Sequence, residues 1–278
     1  MQKISAQNYL NYYETINKAE LANLDGYFKE SDSLYQIAFG MVKKPFKEDY
    51  LFASINSERL KNSRKTYDYL RRGVLNGLTL KRIKSQLTVF KKTKEWKKLR
   101  KEYNWLHKSY MNTLNSSLYE EVAEMIRKDQ ASRHPIFGSS KRLKKVDNYN
   151  FKRLLEIIKE NGGEWPGFST IGENLPKGKY DVTGNIALLL LHFSREEIDL
   201  LKPYIFKAVM DGEMYPYHLA RVIDYKNIFD CQPYGTYLSD GLSPICDCEK
   251  ANLERKKIGF ESIENYYRKR NSKYVCKK

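Results

Sequence analysis

Apolar residues recur at intervals of three and four through much of the first 125 residues, the spacing that gathers them on one face of an α-helix. The segment KEWKKLRKEYNWLHKSY shows the pattern best, because Trp96, Leu99, Tyr103 and Leu106 fall on one stripe and the lysines lie away from it. The pattern predicts a series of amphipathic helices, each buried on one side and polar on the other.

A weak repeat indicates how these helices pair. The stretch SLYQIAFG contains Ala38, and the stretch DYLRRGVLNG contains Gly73 thirty-five positions later, each beside larger apolar residues. A small residue lets two helices approach closely, and the offset is near the period of about 34 residues in tetratricopeptide helix pairs. This segment resembles the degenerate tetratricopeptide-like modules common in bacterial proteins, which implies paired helical hairpins.

The helical period breaks where proline, glycine and serine cluster, and we predict a linker at residues 134–146. A second irregular stretch, NGGEWPGFSTIGENLPKGKYDVTGN, follows the next helix. Further helices are predicted at residues 181–193, 195–211, 217–229, from about 249, and 263–270. The sequence therefore predicts an all-α protein: a tetratricopeptide-like hairpin module at residues 1–125, then a helical domain at residues 126–278 with long loops rich in glycine and proline.

The net charge of +16 is concentrated in one part of the chain. Residues 59–108 hold seventeen lysines and arginines against three acidic residues. Such a patch indicates a solvated helix face, a docking surface for a protein or other acidic partner, or a surface for nucleic acid. Nucleic acid is disfavoured, because no recognition motif accompanies the patch and because Trp96 and Tyr103 lie on the apolar stripe, away from the lysines where bases would stack.

The sequence shows neither a membrane span nor a secretory signal. The longest apolar run, Ile186 to Leu191, is far shorter than the roughly 20 residues that cross a bilayer. The first residues lack a basic segment followed by an apolar one, so a cytoplasmic protein is predicted. An exported or periplasmic location stays open if a signal was removed ahead of residue 1, and the sequence leaves the oligomeric state open.

Three polar features of the second half are hard to explain as ordinary solvent-exposed side chains. His192 ends the apolar run IALLLLHF, so its imidazole must find a partner inside the protein or at a rim. Asp224 and Ala220 are four residues apart and share a helix face. The small side chain of Ala220 leaves room for a neighbouring part of the chain to approach this face closely. Asp129 and Arg133 are four residues apart, the spacing of an ion pair on a helix.

The order of these residues carries a resemblance to a known family. The order is DQ-x-x-R at residues 129–133, D-x-x-N at 147–150, WP at 165–166, His192, Asp224, Q-x-Y-G-T at 232–236, Pro244 and Arg255-x-x-x-Gly259. It resembles an uncharacterised bacterial domain family known by its Q-x-Y-G-T signature, whose members often carry helical hairpins in front. The resemblance covers most of the chain and implies an all-helical fold with a shared polar site, and it brings no established activity. Two positions depart from the family pattern, since Tyr225 stands where arginine is usual and Tyr237 where glutamine is usual.

A candidate site follows from these residues. His192 is predicted to act as a general acid or base, with Asp224 fixing its tautomer and Arg133 or Gln232 binding a negative or carbonyl group of a substrate. The predicted ligand-binding residues are Asp129, Gln130, Arg133, Trp165, Gln232, Tyr234 and Thr236. In an enzyme, His192, Asp224, Gln232 and Arg133 should converge on one cavity, whereas in a structural network the same groups only hold helices in register.

Two function classes stay open. The first is an interaction protein whose hairpins dock a partner, and it is favoured because no reaction-specific motif is visible. The second is an enzyme or small-ligand binder that uses the site around His192, and nucleic-acid binding through residues 59–108 is a further alternative. No cofactor is predicted, because no cofactor-binding motif is visible.

The loop CQPYGTYLSDGLSPICDCEK raises a separate question, since it holds three of the four cysteines. Cys231, Cys246 and Cys248 could supply thiolates to zinc, but the single residue between the last two strains tetrahedral geometry, and no metal is predicted. A disulfide from Cys231 to Cys246 or Cys248 is the alternative for an exported protein. Free buried thiols are the expectation for this loop, and the redox state of Cys276 is left open.

Overall fold

The computed structural model describes residues 6–133, 140–173, 186–237, 244–274 and 276. The described residues form fourteen α-helices and one short 3₁₀ helix, and the only strand-like pairing among them is a single bridge between Ile245 and Cys276. The all-α class predicted from the sequence is therefore confirmed. The chain divides into two compact units, residues 1–113 and residues 114–278.

The first unit is built from helical hairpins. Its helices are α1 (Ala6–Leu24), α2 (Phe28–Met41), α3 (Lys47–Arg59), α4 (Ser63–Leu75), α5 (Leu80–Gln86) and α6 (Lys94–Met111), with the 3₁₀ turn Phe90–Lys92 before α6. Helix α1 packs along α2, α3 along α4, and α4 also along α6. The side chains of Asn62, Thr79 and Thr93 accept backbone N–H groups in the first turns of α4, α5 and α6, which fixes where these helices begin.

A small residue shapes the core of this unit. A Cβ atom added to Gly73 on α4 would come within 3.2 Å of the Tyr50 side chain on α3 and within 3.0 Å of the Leu78 side chain. The small residue of the repeat therefore allows the close approach that the sequence predicts. Leu70 and Leu99 are fully buried in the same core.

Helix α6 has the two faces predicted from its spacing. Trp96, Leu99 and Leu106 are buried and Tyr103 is half-buried, whereas the lysines between them are exposed. Trp105 departs from the simple pattern, because this large ring is 61 % exposed. The helix therefore carries an aromatic side chain on its charged face as well as on its buried one.

The second unit holds the remaining helices. They are α7 (Ser116–Ser132), α8 (Ser140–Glu160), α9 (Phe168–Ile171), α10 (Ala187–Leu190), α11 (Arg195–Met210), α12 (Pro216–Lys226), α13 (Cys248–Lys257) and α14 (Ile263–Lys269). Helix α7 packs against α8, α9 and α10, and α12 packs against α10 and α11. A capping box of Ser194 and Glu197 starts α11, and Pro216 occupies the first turn of α12, where its missing N–H costs nothing.

The observed boundaries differ from the predicted ones. The division into two units falls between Thr113 and Leu114, and the predicted boundary at residue 125 lies inside α7. Of the predicted linker, residues 134–139 lie outside the described residues, and residues 140–146 belong to α8. The basic run there is the exposed side of an amphipathic helix, which a composition of lysine, arginine and serine does not distinguish from a loop.

The helix predicted at residues 181–193 is much shorter in the structure. Residues 181–185 lie outside the described residues, and α10 covers only Ala187–Leu190 before the chain reaches the cap of α11. The helices predicted at residues 195–211 and 217–229 correspond to α11 and to α12, which ends at Lys226. Within the described residues, no helix has the length and apolar character needed to cross a bilayer.

Candidate functional site

A cluster of charged side chains forms around the buried end of α7. The carboxylate of Asp129 is fully buried, and Nε2 of Gln130 donates to it at 2.7 Å while Nη2 of Arg133 donates at 2.9 Å. The Nε2 atom of His192, two residues after α10, lies 3.5 Å from Asp129 Oδ2. The fold therefore brings together four of the residues that the sequence predicts as site residues.

Arg133 joins two carboxylates in this cluster. Its guanidinium donates to Asp129 on its own helix and to Asp147 on α8. Burial raises the pKa of Asp147, and the positive charge of Arg133 opposes that rise. The side chains of Arg133 and Asp147 are 24 % and 19 % exposed, so the cluster reaches the protein surface at this edge.

The imidazole of His192 is held in its neutral form at the same edge, with 20 % of the side chain exposed. Burial lowers the pKa of His192 to about 4; the carboxylate of Asp129 opposes this effect, and the cations of Arg133 and Lys226 add to it. A neutral imidazole carries a proton on one ring nitrogen and accepts a proton on the other. The imidazole is therefore unprotonated at neutral pH and able to accept a proton, and its low pKa makes it a weaker base than a free histidine.

Lys226 completes the cluster, in a role that no sequence pattern predicts. Its Nζ atom donates to the backbone carbonyls of Leu191 at 2.8 Å and Phe193 at 2.5 Å, the residues on either side of His192. Burial lowers the pKa of Lys226 to about 8, with Glu197 as the main opposing charge. A lysine in the last turn of a helix is ordinarily interpreted as a solvated charge that complements the helix dipole, so no spacing singled it out.

Asp224 faces a different neighbourhood, although it lies on the same helix as Lys226. Its buried carboxylate accepts the backbone N–H groups of Tyr234 and Thr236 at 2.7 Å each and the hydroxyl of Thr236 at 2.6 Å. Burial raises the pKa of Asp224 to about 6, and these hydrogen bonds oppose the rise. Asp224 therefore holds the Q-x-Y-G-T loop in its bent conformation.

Gln232 and Gly235 shape the same loop. The amide of Gln232 donates to the carbonyl of Tyr237 at 3.1 Å, and its Oε1 atom accepts the Tyr237 N–H at 2.7 Å. Gly235 has a φ of 64°, and a Cβ atom there would approach the Ile245 side chain within 2.6 Å. Both the backbone conformation and the available space therefore require glycine.

Arg255 supports the loop from inside the protein. It is fully buried, with its guanidinium carbon 4.0 Å from the ring centroid of Phe260 and 4.8 Å from that of Tyr266. The guanidinium donates to the backbone carbonyls of Tyr234 and Glu261. Asp224, Gln232 and Arg255 thus each bond to backbone atoms of residues 234–237.

The prediction of one pocket framed by His192, Asp224 and Gln232 needs correction. The carboxylate beside His192 belongs to Asp129, because both oxygens of Asp224 are occupied by the loop. Asp224 and Lys226 are two positions apart, so their side chains point about 200° apart around the helix axis. One therefore faces the loop and the other faces the backbone beside His192.

Trp165 lies apart from both groups and lines a small cavity with Phe168, Met214 and His218. Its buried indole Nε1 atom has no hydrogen-bond partner among the described residues. Burial lowers the pKa of His218 to about 4, so this second imidazole is also neutral. None of the other predicted site residues, all of which the structure describes, lines this cavity.

The four cysteines form two disulfide bonds, Cys231–Cys246 and Cys248–Cys276, with Cα atoms 5.4 Å and 5.9 Å apart. The expectation of free thiols is therefore wrong, and the Cys231–Cys246 bond is one of the two pairings weighed from the sequence. The zinc alternative is wrong too, because no thiolate is left to bind a metal. The second pairing depends on the bridge between Ile245 and Cys276, a long-range contact that no local spacing shows.

The two departures from the family pattern lie side by side. The ring centroids of Tyr225 and Tyr237 are 6.1 Å apart, and the guanidinium carbon of Arg221 lies 5.4 Å from the Tyr237 centroid. An aromatic pair therefore stands where the resemblance implies an arginine and a glutamine. The hydrogen bonds between Gln232 and Tyr237 use only the backbone of the tyrosine, so the substitution leaves them in place.

A scan against protein-family models, a search of curated proteins and a search of solved structures each find no match to this chain. Within the described ranges, no group of three or more His, Cys, Asp or Glu side chains is placed to hold a metal ion.

Proposed function

We propose that the second unit is an acid–base enzyme in which His192 is the general base and Asp129 orients its imidazole. The observation that carries the proposal is the 3.5 Å contact between His192 Nε2 and Asp129 Oδ2, at a place where the imidazole is neutral and reaches solvent. A base must be unprotonated and accessible to substrate, and a neighbouring carboxylate selects the ring nitrogen that carries the proton.

The surroundings of the pair support this role by fixing its geometry. Gln130 and Arg133 occupy the other acceptor positions of Asp129, so the carboxylate has one orientation. Lys226 holds the backbone on both sides of His192. The 3.5 Å contact is longer than a strong hydrogen bond, and contacts of this kind shorten when a substrate binds.

The charges of the cluster favour a substrate whose reacting group is uncharged. The carboxylates of Asp129, Asp147 and Glu197 offset the cations of Arg133 and Lys226, and both cations already donate to oxygen atoms of the protein. Among the described residues, the cluster thus has no cation available to bind an anionic substrate. An ester or amide carbonyl fits this environment: His192 takes a proton from water, the water oxygen attacks the carbonyl carbon, and the proton passes to the leaving group.

Hydrolysis of a panel of chromogenic esters and amides tests the proposal. We expect turnover that is constant near neutral pH and falls toward pH 4 as His192 becomes protonated. His192→Gln and Asp129→Asn should each lower kcat/KM, the former by roughly 100-fold or more. His218→Gln is the matched control, since it removes another half-buried neutral imidazole outside the cluster; activity kept in His192→Gln, or no turnover across the panel, would count against the proposal.

We also propose that the chain belongs to the Q-x-Y-G-T family. The support is that Asp224, Gln232, Gly235, Thr236 and Arg255, which occur in the family order, jointly build one loop. A structure of a family member tests this, because its aspartate should accept the same two backbone N–H groups. An aspartate that faces solvent there would contradict the assignment.

The two disulfides support a location in an oxidising compartment, since such bonds are rare where thiols are kept reduced. Protein isolated from its own cells under alkylating conditions should then show no free thiol until it is reduced.

For the first unit we propose a docking role, as arrays of helical hairpins commonly have. The pairing of α1 with α2 and of α3 with α4 supports it, and so do the exposed lysines of α6.

A further inference from the structure

Helix α6 presents a charged face away from its buried stripe. We call this the basic face, and its exposed residues are Lys94, Lys97, Lys98, Lys101, Trp105 and Lys108. At 3.6 residues per turn these positions fall within about 100° of one another around the helix axis. No acidic residue lies between them on that arc.

Most of the lysines on the basic face carry uncompensated charge. Lys98 lies 3.9 Å from Glu102 at the edge of the face. Lys94, Lys97, Lys101 and Lys108 make no ion pair within the part of the chain that the structure describes. Neighbouring positive charges repel one another, and an anionic partner relieves that repulsion.

Trp105 lies on the basic face between Lys101 and Lys108. The guanidinium carbon of Arg71 is 6.0 Å from its ring centroid, and 61 % of the side chain is exposed. The other two tryptophans, Trp96 and Trp165, are buried at 6 % and 5 % exposure. A tryptophan outside the core is favoured where an apolar body can enter a lipid interface while its N–H stays hydrated.

We propose that the basic face docks the protein on an anionic lipid bilayer, with the lysines against the headgroups and Trp105 at the interface. The inference rests on the docking role proposed for the first unit and gives that role a partner. The lysines extend over 15 residues of one continuous helix, or about 21 Å, which suits a planar surface. Each lysine held close to an anionic leaflet strengthens binding about fivefold.

Single-stranded nucleic acid is the competing partner, and two observations favour lipid. Proteins that bind single strands stack successive bases on several aromatic rings, whereas Trp105 is the single aromatic residue of the basic face. The disulfides Cys231–Cys246 and Cys248–Cys276 support a location in an oxidising compartment, in which membrane surfaces are present.

Sedimentation with lipid vesicles tests the inference. The vesicles are phosphatidylcholine alone, or phosphatidylcholine mixed with phosphatidylglycerol at about two to one. We expect the full chain to bind the anionic vesicles only, and to be released by salt. Tryptophan emission should shift to the blue on binding, and because Trp96 and Trp165 are buried, Trp105→Phe should remove the shift while most of the binding remains.

Paired lysine substitutions locate the binding surface. Lys97→Gln combined with Lys101→Gln should lower partitioning roughly 25-fold. The matched control is Lys144→Gln with Lys145→Gln, which removes two exposed charges from α8 and should leave partitioning near that of the wild type.

Three other outcomes would overturn part or all of the proposal. Equal losses in the two lysine pairs would show that net charge drives binding, and would overturn the basic face as the site. Tighter binding of a single-stranded oligonucleotide or of polyglutamate than of anionic vesicles would overturn the lipid partner and keep the docking role. Failure to bind all three would overturn the lipid partner and docking through this face together.

Discussion

Lys226 and Asp224 stand two positions apart on α12 and hold two different parts of the second unit. Lys226 donates to the carbonyls that flank His192, and Asp224 accepts the N–H groups of Tyr234 and Thr236. One helix therefore sets both the position of the proposed base and the shape of the signature loop. Because the two sets of hydrogen bonds share no atoms, substitutions can separate their effects.

His192 should make the protein sensitive to acid. Its folded-state pKa of about 4 lies below the ordinary value of 6.5, so the unfolded chain takes up a proton first as the pH falls. The stabilising contribution is present above pH 6.5 and is lost as the pH falls toward 4, by on the order of 3 kcal/mol. Urea unfolding at neutral pH and near pH 4 should show a smaller loss in His192→Gln than in the wild type. Equal losses would contradict the assignment, since His218 titrates alike in both proteins.

Asp224→Asn should destabilise the second unit. An asparagine offers one acceptor oxygen, and its NH₂ group would face a backbone N–H that now donates to the carboxylate. We expect the free energy of unfolding to fall by about 3 kcal/mol. Chemical denaturation measures this, with Asp199→Asn on the exposed side of α11 as the control; similar small effects in both variants would contradict the role of Asp224.

Residue types at the site could be predicted from sequence, and their partners could not. Asp129 and Arg133 were visible as an ion pair at helical spacing, and His192 as a polar group ending an apolar run. The contact of His192 with Asp129 joins α7 to the segment after α10, and no local pattern encodes which helix faces which. No sequence pattern predicts the role of Lys226, because its partners are backbone carbonyls, which every residue has.

Among the elements, α13 depends most on a covalent link, since Cys248 at its first position pairs with Cys276. The bond closes a loop of 28 residues that contains α13 and α14. Replacing both cysteines with serine should cost about 3 kcal/mol, because the unfolded chain regains the freedom that the loop removes. Thermal unfolding with and without reductant measures this, and the double variant should respond less to reductant than the wild type. An unchanged response would contradict the pairing.

Helices with a clear apolar stripe were predicted well, because burial on one side imposes the period. This is the case for α6 and α11. The start of α8 lies inside the predicted linker, because the run SKRLKKV has apolar side chains only at Leu143 and Val146, too few to distinguish an exposed helix face from a loop. The predicted helix is longer than α10, because a wholly apolar run indicates that a segment is buried but does not indicate how long its helix is.

At the scale of the whole molecule, the net charge of +16 acts against compactness. Raising sodium chloride from about 0.02 M to about 0.3 M should raise the midpoint of thermal unfolding by a few degrees, because salt screens the repulsion. Calorimetry should show a weaker salt dependence in Lys97→Gln with Lys101→Gln. A midpoint that falls with salt would mean that attractive ion pairs dominate.

The contact between Tyr225 and Tyr237 bears on how distant this chain is from its proposed family. A comparison that scores positions one at a time counts two mismatches, an arginine lost and a glutamine lost. In space the two tyrosine rings are neighbours, with their centroids 6.1 Å apart, so both departures fall at one place in the fold. In this structure the two departures from the pattern therefore belong to one contact, although twelve positions separate them along the chain.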